Sequence, residues 1–109
     1  MFEELLTLLQ AIPGVQFAEY EWKTRPIGNY GTVQMDFEIP SDDGDDGKVD
    51  RGWEGSVDLF TKDKAMMIVA AVESALATVC GNSWELNSEQ YERETGLIHR
   101  EFVFQIESR

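Results

Sequence analysis

Cysteine is almost missing from this chain. Cys80 stands alone, so no internal disulfide can form, and the small extracellular domain stapled by disulfides is excluded. A single thiol fits a reducing compartment, and the cytosol is the expected place of synthesis and residence. Histidine is equally scarce, with His99 alone, and cations are few: nine Lys and Arg stand against 21 Asp and Glu, for a net charge of −12. That balance repels nucleic-acid phosphates and anionic lipid surfaces, so neither sequence-specific nucleic-acid binding nor membrane attachment is expected. No apolar run approaches the ~20 residues that would cross a bilayer. The opening segment carries Glu3 and Glu4 where a signal peptide would carry basic residues.

What remains is enough for a fold. Of 109 residues, 42% are apolar and twelve are Trp, Tyr or Phe, a composition that supports one core and is too short for two. A single domain spanning residues 1–109 is expected. The acidity is local: from Asp36 to Asp58 nine acids face only Lys48 and Arg51, which gives −7 of the −12.

Periodicity then assigns elements. Phe2, Leu5, Leu6, Leu9 and Ile12 recur at three and four, the spacing of one helical face, and Pro13-Gly14 ends that segment. Val15 to Glu21 is rich in strand-forming types, and residues 25–31 are dense in turn formers. Val33, Met35, Phe37 and Ile39 alternate with Gln34, Asp36 and Glu38, and Trp53, Gly55, Val57 and Leu59 alternate with Glu54, Ser56 and Asp58. Two half-buried strands follow from this, joined as a hairpin with a long acidic tip at residues 40–48. Residues 65–80 are apolar on nearly every side with Glu73 as their only charge, preceded by capping oxygens at Thr61 and Asp63 and closed by Gly81-Asn82. Ile68, Val72, Ala75, Leu76 and Val79 form the bulky stripe expected to face the sheet. The reverse, Met67, Ala70, Ala71, Ser74 and Ala77, is small and flat, and a helix of this kind must be covered on both sides. Trp84 to Glu92 and Leu97 to Glu107 complete the chain as two strands around a turn at 94–96. In the last of them Arg100 stands among the inward positions Ile98, Phe102, Phe104 and Ile106. The fold class is α+β, in the order α-β-β-β-α-β-β: a mostly antiparallel sheet with two helices packed on it.

Chemistry is harder to find. His99 lies among Leu97, Ile98, Glu101 and Phe102 with no partner the sequence can place, and reads as a structural or surface residue. Cys80 ends an apolar helix and reads as core. Nucleophile-elbow, phosphate-loop, HExxH and CxxC patterns are all missing. Counted from Asp42, the acidic tip puts Gly44 at the third and Trp53 at the twelfth position of a calcium loop, both wrong for ligands. No catalytic, cofactor-binding or metal-ligating residue is assigned, no cofactor is expected, and the chain is not expected to be an enzyme. Trp22, Trp53 and Trp84 are core material first, with Trp53 also a candidate interface anchor.

The short leucine-rich helix ending in Ile12-Pro13, the strand pair around a Gly- and Asp-rich tip, Ser56-Val57-Asp58-Leu59-Phe60-Thr61-Lys62-Asp63 running into a helix, and the closing strands from Tyr91 to Phe104 together resemble the small tail terminator or head-tail joining proteins of long-tailed bacteriophages and prophages. Phe60 stands where that family more often has tyrosine. The resemblance implies a structural virion-assembly protein: a homo-oligomeric ring, of six subunits, on the head-proximal end of the tail tube. Such a ring stops tube polymerisation and meets the neck or head-completion proteins. It would be assembled in the host bacterial cytoplasm, then carried in the tail or neck of the virion, with DNA passing through its channel. On this reading the subunit interface draws on Met67, Ala70, Ala71, Ser74, Ala77 and Trp53, and the acidic tip, Asp42, Asp43, Asp45 and Asp46, makes ring or channel contacts. The competing expectation is a stand-alone acidic module that masks a basic protein partner.

Overall fold

The computed structural model describes residues 1–39 and 52–107. Helix α1 (Phe2–Gln10) carries Glu3 and Glu4 in its first turn, where the helix dipole favours negative charge, and buries Phe2, Leu5 and Leu9. Four of the five strands, β2 (Tyr30–Ile39), β3 (Gly52–Thr61), β4 (Trp84–Glu92) and β5 (Leu97–Ile106), pair antiparallel, while β1 (Gln16–Glu19) runs parallel to β2. Helix α2 (Met66–Cys80) joins β3 to β4, and the sheet order is β1-β2-β3-β5-β4. The α+β class, the element order and the β2–β3 hairpin match the expectation. The tip residues Asp42, Asp43, Asp45 and Asp46 lie outside the described residues.

Alternation decides which face of the sheet the helices cover. Val33, Val57, Leu59, Phe102, Phe104 and Ile106 share one buried cluster with Leu5 and Leu9 of α1 and Val69, Val72, Leu76 and Val79 of α2. Both helices therefore sit on that face. Tyr30, Asp58, Phe60, His99 and Glu101 have the opposite parity, and no described helix packs over them.

Three boundaries differ from the pattern reading. Strand β1 stops at Glu19 because Tyr20 takes a left-handed backbone with φ 68°, a conformation incompatible with a continuing strand. Tyr30 and Gly31, read as loop, instead open β2. Gly31 is required there, since a Cβ would collide with the Phe17 ring and approach the Asp58 carbonyl to 2.7 Å. The start of α2 is not capped by a side chain: its N-cap is Ala65, at φ 45°. Asp63 Oδ1 accepts from the Ala65 amide at 2.9 Å one step upstream, and Thr61 Oγ1 donates to the Asp63 carbonyl at 2.6 Å. The far end of α2 falls where Gly81 implied, and the Gly81 amide donates to the Ala77 carbonyl, but with φ 63° and ψ −118° the residue lies outside the left-handed helical region expected of it.

Candidate functional site

Two surfaces stand out, and α2 makes the first. Its buried residues are Val69, Val72, Ala75, Leu76 and Val79. Val69, and not Ile68 as the pattern implies, completes the buried stripe; Ile68 is only half-buried. Of the small reverse face, Met67 is 89% exposed, and Ala70, Ser74 and Ala77 are also exposed. Ala71 departs from this group: it is half-buried and packs against the core of its own chain. A residue three positions before Ser74 and four before Ala75 sits on the border between the two faces. Trp53 is likewise half-buried against the core, opposite Ile106 on the neighbouring strand.

The open face of the sheet is the second. Across β2, β3 and β5 the rings of Tyr30, Phe60 and His99 form a stack, with centroids 4.7 Å and then 4.2 Å apart and interplanar angles of 13° and 21°. Adjacent strands bring the three side chains into register, so the stack is a direct product of strand pairing. His99 Nε2 lies 2.7 Å from Asp58 Oδ1, and Nδ1 lies 3.6 Å from Glu92 Oε2, beyond direct hydrogen bonding. The Trp22 indole N–H donates to the Gly31 carbonyl at 3.0 Å and walls one side. Between them is a wide-mouthed depression of about 380 Å³, lined also by Tyr20, Glu21, Arg25, Thr32 and Gln34.

This arrangement fixes an imidazole against a carboxylate, and among the described residues no cysteine or serine lines the depression beside it. Cys80 lies at the end of α2, and burial pushes its thiol up to about 11. At neutral pH it is a protonated thiol and a poor nucleophile. Among the described residues no group of three or more His, Cys, Asp or Glu is placed to hold a metal ion. No described helix is long and apolar enough to cross a membrane.

Arg100 has a clear role in packing. Only 3% exposed, it donates from Nε to Glu89 Oε2 at 2.6 Å and from Nη1 to Thr61 Oγ1 at 3.2 Å. The guanidinium thus ties edge strand β4 to the end of β3 through β5. Sequence periodicity flagged Arg100 as an inward-facing exception but could not name Glu89 or Thr61. Nor could it pair Asp58 with His99, because both pairings depend on strand register.

The sequence matches no protein-family model and no curated protein. Its fold does have a counterpart among solved structures. A chain from the virion of a native gene transfer agent particle superposes with a TM-score of 0.54 at 13% identity, over 94% of this chain and 90% of that one. At that identity the likeness is one of fold, and it spans nearly the full length of both chains.

Proposed function

We propose that this chain is a structural protein of a tailed, phage-like particle, and that it works as the ring at the head-proximal end of the tail tube. The observation that carries the virion role is the near full-length fold likeness to a chain of the gene transfer agent virion. The exposed apolar side of α2, with Met67, Ala70 and Ala77 open to water, supports self-association, since a contact between copies would remove that surface from solvent. Repeating one such contact around an axis closes a ring.

On this reading the ring caps the tube, stops further addition of tube protein, and offers its opposite side to a neck or head-completion protein. Assembly takes place in the host cytoplasm, and the ring then stays with the particle. The acidity of the chain suits a passage for DNA, because a like-charged wall does not trap the duplex. No bond-making step is assigned to His99, whose partners are two carboxylates.

Polymerisation of purified tail-tube protein tests the proposal. Added in slight excess over tube ends, this protein should shorten the tubes and decorate one end of each with a ring visible in negative stain. Tubes of unchanged length with bare ends would refute the terminator role.

A further inference from the structure

One end of the molecule gathers what the rest lacks. The β1–β2 connection (20–29), the β3–α2 junction (62–65) and the β4–β5 turn (93–96) meet there: the Lys62 amide donates to Asn29 Oδ1 at 2.9 Å, and Asn29 Nδ2 donates to the Gly14 carbonyl at 3.2 Å. Arg25, Ile27, Lys62, Thr95 and Leu97 line a common depression of about 250 Å³. Every exposed lysine and arginine among the described residues, Lys23, Arg25, Lys62, Lys64 and Arg93, lies in these three connections, whereas Arg100 is buried. The two most exposed large apolar side chains, Ile27 at 92% and Met67 at 89%, are here too, with Met66 at 62% beside them.

Carboxylates at this end are partly engaged. Asp63 Oδ1 holds the Ala65 amide, and Glu92 accepts from Thr95 Oγ1 while facing His99; Glu21 and Glu94 are exposed. The open sheet face has the opposite character. Glu54, Asp58, Glu85 and Glu101 have its parity, and no lysine or arginine of β2, β3, β4 or β5 shares it. Glu54 and Glu85 flank a depression of about 310 Å³ that also has Trp84 and Val103 in its lining.

We propose that the cation-bearing, apolar end of one subunit docks on the acidic sheet face of a second copy, around Glu54 and Glu85, so that subunits join head to tail. With a net charge of −12, most approaches between two copies are repulsive. This orientation sets cations against carboxylates and covers Ile27 and Met67, so charge selects the partner surface while apolar burial holds it. Each subunit keeps one free end and one free face, and the contact repeats until it closes. The inference deepens the ring reading by naming the two surfaces that meet.

A charge exchange tests it. Lys62→Glu/Lys64→Glu and, separately, Glu54→Lys/Glu85→Lys alter exposed or half-exposed side chains, and circular dichroism checks that each variant is folded. By sedimentation velocity each double variant alone should associate at least tenfold more weakly than wild type. Their equimolar mixture should recover assembly, because each altered surface then meets its complement. Ile27→Glu, read the same way, should also weaken association. Wild-type-like rings from either double variant, or a mixture that fails to recover, would overturn this contact and leave the ring itself standing. A wild-type protein that stays monomeric with and without tail tubes would overturn both. Rings that form normally from Lys62→Glu/Lys64→Glu but no longer attach to tubes would assign this end to the tube protein and overturn the proposal.

Discussion

At the scale of single residues, close approach and buried charge set the tolerances. A Cβ on Gly55 would stand 2.5 Å from both the Gln34 carbonyl oxygen and Phe104 Cζ, so Gly55→Ala should cost roughly 1–3 kcal/mol in urea unfolding through overpacking. Arg100 and Glu89 should respond unequally. Glu89→Gln leaves a buried guanidinium without its anion and should cost roughly 1–3 kcal/mol, whereas Arg100→Met leaves a half-exposed carboxylate that water can solvate and should cost about 1 kcal/mol or less. Equal losses would contradict that account. The raised Cys80 pKa has a sign: the folded state holds the thiol proton more tightly than the unfolded chain. Its contribution is complete below pH 9 and is lost as pH rises towards about 11. Stability should therefore fall across that window, with a smaller fall in Cys80→Ala. Arg100 was visible in the sequence as an intruder among Ile98, Phe102 and Phe104; its partners were not, because they lie 11 and 39 residues away.

At the scale of elements, α2 carries the account. Ala77 is exposed on its outer face, so Ala77→Glu should change the melting temperature little while abolishing self-association. Ala71 is packed against the core, so Ala71→Glu should lower the melting temperature as well. If the two variants melted alike, the border between the faces would be drawn wrongly. Helix α1 and strands β2, β3 and β5 were legible from apolar periods of 3.6 and 2, whereas β1 and α2 showed through composition, strand-forming types at 15–21 and a nearly all-apolar run at 65–80. The features that the pattern does not carry depend on tertiary context. The parallel pairing of β1 follows from a connection, residues 20–29, that doubles back along the sheet and anchors Trp22 on Gly31. The uncapped start of α2 depends on the left-handed backbone at Ala65, which no propensity at alanine foretells. The open faces of α2 were foreshadowed by its small residues, whereas the Tyr30–Phe60–His99 stack needed the register of three strands.

At the scale of the whole molecule, among the described residues one sheet face is covered by helices and the other is open, while the exposed cations collect at one end. A lone subunit with this distribution leaves both apolar and charged surfaces without complements, and copies joined head to tail would supply them. The mass of the concentrated wild-type protein in solution, measured by multi-angle light scattering behind a sizing column, tests that claim most directly. A single closed species of fixed subunit number, shifted towards monomer in Lys62→Glu/Lys64→Glu, is the expected result. A monomer at every concentration, with tail tubes present or absent, would contradict it.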